Sequence, residues 1–184
     1  PSKKEPFLIA PRMEFQRARK SSIKKAYSME KKKFFDSMHK IINKNKLKTR
    51  IAAIDKNNFT LNSYRHFKRQ FKGLKAKDIS SDCSKLREIK TQKEMQILKK
   101  SCSYADKILQ KLIRDFNDFR TESQAAAFLE YESKKNGLEI SFSPIVASGS
   151  NGSIPHHAPA NTKIKKGFCV VDFGVKYKGY CSDI

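Results

Sequence analysis

Two aspartates eleven positions apart, Asp172 and Asp183, constrain this chain more than any other feature. Asp172 sits inside the otherwise apolar run Gly167–Val175. The polar turn Lys176-Tyr177-Lys178-Gly179 follows, and Tyr180–Ile184 returns. Run, turn and run make a β-hairpin. Side chains alternate between faces, so the pairing register decides whether the two acids meet. A loop of two or four residues centred on this turn makes paired positions sum to 355. Asp172 then lies directly opposite Asp183, with Cβ atoms ~5 Å apart. A three-residue loop with Gly179 in a bulge shifts the sum to 356 and puts the acids on opposite faces. Opposed like charges in a half-buried sheet destabilise it and suppress ionisation of one partner. A divalent cation between them removes both problems. Oxygen ligands suit Mg, Ca or Mn, or a dinuclear centre bridged by one carboxylate. The plainer alternative is an Asp at a strand end and an Asp in a loop, with no shared task.

Upstream lies Pro155-His156-His157-Ala158-Pro159. In an extended segment, neighbouring side chains face opposite ways. One histidine can then serve a site while the other faces elsewhere; a rigid polar loop is the competing reading. Before it, Ile140, Phe142 and Ile145-Val146 read as strand, and Ser148–Gly152 as a loop. Two helices feed this extended region. Thr91–Glu94 and Thr121–Gln124 are capping boxes, in which a Thr hydroxyl takes a free backbone N–H and an acid or amide reaches back. The first box opens the longest helix, with Leu98, Cys102, Ala105, Leu109, Leu112 and Phe116 as its core stripe. The second opens a helix that turns Ala125, Phe128 and Leu129 inward and ends at Gly137.

The first half has a different texture. Phe7–Ala10, closed by Pro11, reads as a strand. Glu14–Lys25 is polar, with Met13, Phe15 and Ala18 at helical spacing. Residues 30–43 form a helix, with Phe34, Phe35, Met38, Ile41 and Ile42 on one side and Lys31, Lys32, Lys33 and Lys40 on the other. Ile51–Ile54 reads as a buried strand. Leu61, Tyr64, Phe67 and Phe71 mark a helix stopped by Gly73. His39 and His66 lack ligand partners at helical spacing and read as boundary or surface residues. Strand–helix–strand–helix is the pattern of a small α/β domain. A polar hinge at Asp78–Ser84 separates it from the rest, which gives domains at 1–84 and 85–184.

The net charge is +22, from 40 Lys and Arg against 18 Asp and Glu. Residues 1–87 hold 25 basic and 7 acidic residues, so the first half holds most of the excess. That is an electrostatic footprint a nucleic acid would need. The lysines are spread out rather than interleaved with aromatics, and solvated faces account for them, so nucleic acid is not the expected partner. Four cysteines form neither a C-x-x-C pair nor a zinc-ribbon spacing and read as reduced thiols of a cytoplasmic protein. No apolar run approaches the ~18 residues of a membrane span.

Ser143–Gly149, Pro155-His156-His157, Val171–Gly174 and Gly179–Ile184 together resemble the signature of the pita-bread metallopeptidases. The nearest branch is the Xaa-Pro dipeptidase and aminopeptidase P group. Leu86–Thr91 with Glu94 resembles the entry to that family's catalytic domain, and residues 6–80 resemble the later part of a creatinase-type N-terminal domain. The resemblance implies an α/β (α+β) chain: a partial creatinase-type N-terminal domain, then the first half of a pita-bread catalytic domain. It implies two divalent metal ions (Mn, Co or Zn) holding a hydroxide, with Asp172 chelating one and Asp183 bridging both. It implies that His156 hydrogen-bonds the substrate near the scissile bond; it assigns His157 no role. The substrate implied is a short peptide containing proline. The family's further ligands, a His and two Glu, are expected beyond Ile184 or on a second chain, so residues 1–184 alone are expected to be inactive. A homodimer is a further expected assembly. The competing expectation is a non-catalytic relative that uses its basic first half to bind nucleic acid or an acidic protein.

Overall fold

The computed structural model describes residues 5–29, 34–46 and 50–184. Lys31–Lys33, the start of the basic face read above, lie outside the described residues. Contacts divide the chain into two compact units, Pro1–Glu88 and Ile89–Ile184.

In the first unit, β1 (Phe7–Pro11) pairs in parallel with β2 (Lys25–Met29), and α1 (Phe15–Arg19) lies between them in sequence. The polar stretch after Glu14 is thus a single short helix followed by a strand. Tyr27, stacked edge-on against Phe7, gives that strand its apolar face. The helix α2 spans Phe34–Lys44. Next, β3 (Ile51–Ile54) pairs in parallel with β4 (Lys75–Asp78), and α3 (Leu61–Gln70) connects them. Thr60 caps α3 by accepting the Ser63 N–H, and Gly73, at φ +83°, turns the chain after it. The unit's core is aromatic. Phe67 is 2% exposed and meets Phe35, Phe59 and Phe71 at ring separations of 6.2, 6.3 and 5.3 Å. His39 sits edge-on to Phe71 at this boundary, while His66 is exposed. Two readings need correction. The run Ile51–Ile54 is not wholly buried: Ile51 is exposed and only Ile54 is buried. The polar stretch at Asp78–Ser84 is not an open hinge. Asp78 accepts the Ser80 N–H at 3.0 Å and its hydroxyl at 2.6 Å, and that cap starts α4 (Ser80–Glu88).

In the second unit, both capping boxes form, opening α5 (Gln92–Arg114) and α6 (Glu122–Lys135). The buried stripe of α5 is Ser101, Ala105, Ile108 and Leu112; Ala105 and Leu112 are as read in the sequence, while Ser101 and Ile108 take the places of Cys102 and Leu109. Cys102 is exposed as a result. The reason is the polar Ser101, whose hydroxyl lies 2.8 Å from the Val175 carbonyl and 3.2 Å from that of Tyr180. A serine with backbone partners is buried without loss. Gly137, at φ +70°, ends α6, and β5 (Glu139–Ile140) follows. Two antiparallel arrangements complete the unit. One pairs β6 (Ile145–Ser148) with β7 (Cys169–Asp172); the other has strand order β5–β8–β9, with β8 at Val175–Tyr177 and β9 at Tyr180–Cys181. The core joins helices and strands through Ala105, Ile108, Leu112, Leu129, Val146 and Phe173.

Candidate active site

The run read as one strand from Gly167 to Val175 is two. It pairs with β6 as far as Asp172, then changes partner at Phe173-Gly174. Asp172 is the last residue of the first ladder, opposite Ile145. The turn is Lys178-Gly179, with φ of +49° and +86°, the left-handed pair that a two-residue hairpin loop requires. Its register differs from both readings above: Tyr177 pairs with Tyr180 and Lys176 with Cys181, so positions sum to 357. The ladder continues past β9. The Ser182 N–H donates to Val175 O at 2.9 Å, and Phe173 and Ile184 exchange two hydrogen bonds of 3.1 Å. Asp183 therefore faces Gly174, and Asp172 stands two residues further along. The sum is still odd, so the acids share a face, as diagonal neighbours rather than directly opposed. Diagonal neighbours lie ~7–8 Å apart, a gap that long side chains or a bound ion span. Gly174 is what allows this. A Cβ there would sit 2.0 Å from the Ser182 carbonyl oxygen, so only glycine lets the Asp183 strand come so close.

Both acids line one cavity of about 480 Å³, with His156, His157, Phe142 and Pro144 among its walls. Asp183 is exposed, whereas Asp172 is part-buried and its Oδ1 is fully buried without a hydrogen-bond partner among the described residues. A buried carboxylate oxygen without a partner is costly. A divalent cation would supply what this oxygen lacks, and two same-face carboxylates fit a hard, oxygen-seeking ion. Among the described residues no group of three His, Cys, Asp or Glu side chains is placed to hold a metal ion, so a bound ion would need further ligands.

The His pair is not extended. The segment turns at Pro155-His156, with His156 at φ +57° and the His157 N–H donating to Ile154 O at 3.3 Å. Both residues line the one cavity, through a turn rather than the extended segment expected. The His157 Nε2 lies 2.9 Å from Glu122 Oε2.

Glu122 went unnoticed in the sequence reading. It is fully buried, yet burial, which pushes its carboxyl up, is outweighed. The Ser148 N–H donates to it at 2.7 Å, and His157, the Asn151 amide and the Ser148 hydroxyl complete the cage. These bonds hold the carboxyl at about 2. An acid just after a helix cap is ordinarily solvated. The available signal was its spacing: Glu122 precedes Ala125 by three and Leu129 by seven, on the buried stripe of α6.

Known protein families match both halves of the chain. The model of the creatinase/prolidase N-terminal domain matches residues 1–89, and that of metallopeptidase family M24 matches residues 96–184. The Xaa-Pro dipeptidase of Pyrococcus furiosus is 32% identical over 182 residues, covering 98% of this chain and 50% of its own. Among solved structures, the X-Pro aminopeptidase of Thermotoga maritima superposes with a TM-score of 0.87 at 25% identity, over 99% of this chain and 52% of that one. The Xaa-Pro dipeptidase of Bacillus anthracis gives 0.83 at 28% identity, over 100% and 51%. The chain spans about half the length of the curated relatives it matches across nearly its whole length. With a creatinase-type N-terminal domain leading into part of a pita-bread fold, the chain is similar over nearly its whole length to the family M24 metallopeptidases.

Proposed function

We propose that this chain forms part of a metal-dependent exopeptidase that hydrolyses Xaa-Pro bonds in short peptides. The observation that carries the reading is the partnerless buried Oδ1 of Asp172, in a cavity shared with Asp183. The relatives' names supply the substrate class. In this reading Asp172 and Asp183 hold two divalent ions, with Mn, Co or Zn as the candidates. When bound, such ions supply Lewis acidity and an activated water at neutral pH. Asp172 anchors the site because β7 and the Gly174 crossing fix its backbone on both sides. Asp183 is exposed and shares the cavity face. His156, on the cavity wall, hydrogen-bonds the peptide beside the scissile bond. Phe142, Pro144 and Pro159 give the cavity apolar walls suited to a proline ring. The two acids alone do not complete a ligand set, so a bound ion needs further ligands.

The test is hydrolysis of an Xaa-Pro dipeptide by the full-length protein. Cleavage should require added Mn or Co and should be abolished by Asp183→Ala. Turnover in thoroughly chelated buffer would overturn the mechanism. Absence of any cleavage, together with strongly salt-dependent binding to duplex DNA, would favour a binding module instead.

A further inference from the structure

The second unit buries a charge, Glu122, outside the Asp172–Asp183 pair. Glu122 lies at the start of α6, and its four hydrogen-bond donors come from three residues spread over Ser148–His157. The same helix end is tied to the segment that follows the histidines. The Glu122 N–H donates to Thr162 O at 3.1 Å and the Ser123 N–H to Ala160 O at 3.0 Å. The Ser123 hydroxyl donates to Pro159 O at 3.3 Å. The start of α6 therefore grips the His156-bearing turn on both sides. His156 itself is in the left-handed region at φ +57°. A non-glycine residue pays conformational energy there and stays only when its surroundings over-determine it. The neighbour that does so is His157, whose ring is tied to Glu122.

We infer that Glu122 is a positioning residue: through His157 it holds the Pro155–Ala158 turn in its left-handed form and so sets His156 on the wall of the Asp172–Asp183 cavity. An ionised carboxylate only accepts, so the His157 Nε2 must carry the hydrogen of this bond. In its neutral form the ring is thereby fixed in one tautomer, with Nδ1 turned away from Glu122. The orientation of His156 then depends on a charge that touches neither it nor the two aspartates. The catalytic consequence rests on the peptidase reading; the tautomer and the turn do not.

The experiment is 15N-histidine NMR of the full-length protein, paired with kinetics on an Xaa-Pro dipeptide. The His157 Nε2–H should be protonated and slow to exchange. Glu122→Gln should expose it to exchange and shift the His156 backbone signals. The same variant should lower kcat by about 10- to 100-fold while KM changes less, as expected when an orienting partner outside the direct contacts is lost. Should Glu122→Gln fold poorly, His157→Gln and His157→Leu decide. The Gln amide can still donate to Glu122 and should keep the His156 signals and most of kcat; Leu cannot and should lose both. A His157 with bare Nε2, or a folded Glu122→Gln with unchanged exchange and unchanged His156 signals, overturns the inference. If the wild type cleaves no Xaa-Pro peptide under any metal, the functional reading falls, and the NMR results still decide the positioning role.

Discussion

The first unit hides carbon and leaves its charges in water, whereas the second hides charges too. Among the described residues, Pro1–Glu88 buries only Ser37 and Ser80 as polar side chains, around a core of Phe67, Phe71 and Ile41. Ile89–Ile184 buries Glu122, Glu132, Ser101, Ser133, Ser148 and Ser182. Each has a partner: Glu132, for instance, accepts from Lys111 Nζ at 2.6 Å, which holds its carboxyl below the ordinary range. Satisfied buried polar groups add little net stability, but they permit few alternative arrangements. The difference shows where geometry is under constraint. A scaffold tolerates approximate packing; a cavity wall that must aim two carboxylates and an imidazole does not.

The comparison breaks most readily at Gly174. Gly174→Ala drives a Cβ into the Ser182 backbone and should cost the second unit at least ~3 kcal/mol, in the range of severe overpacking. Hydrogen exchange in α5 and α6 reads this out. Protection in α3 of the first unit provides the contrast. Leu129→Ala, at a fully buried position, should cost ~2–5 kcal/mol in the same measurement. Acid separates the halves next. The Glu122 carboxyl is depressed to about 2 by its donors. Its contribution is complete above the unfolded carboxyl range near 4.5 and is lost as pH falls from there through about 2. Protection around Ser148 and His157 should therefore fall over that window, and Glu122→Gln should flatten the fall. The smallest effect belongs to the first unit's solvated face. Lys72→Gln, at an exposed position, should change stability by no more than ~0.5 kcal/mol.

How far the sequence could be read follows the same divide between local and long-range causes. The capping boxes at Thr91 and Thr121 and the stops at Gly73 and Gly137 are local, and the structure has them all. The shared face of Asp172 and Asp183 was one of the two alternatives left open, the one that an even-numbered turn gives. The register was not legible, because it is set by the Lys178-Gly179 turn and by the close approach at Gly174, and neither is visible without the partner strand. Ser101 takes a core position beside Cys102 because its hydroxyl meets two carbonyls of the hairpin, more than seventy residues away. The His156-His157 turn was illegible for a similar reason: a buried acid thirty-five residues upstream bends it. In the first unit, β2 was missed because Lys25 and Ser28 mask a strand that exists by pairing with β1. Long-range polar contacts leave little local trace, and the second unit is built on them.

The central claim is that Asp172 and Asp183 share a cation on one cavity wall. Paramagnetic Mn²⁺ titrated into 15N-labelled full-length protein tests it most directly. Line broadening should begin at Phe173, Gly174 and Ile145, reach His156, and vanish in Asp172→Asn. Broadening centred elsewhere, or unchanged in Asp172→Asn, would contradict the account.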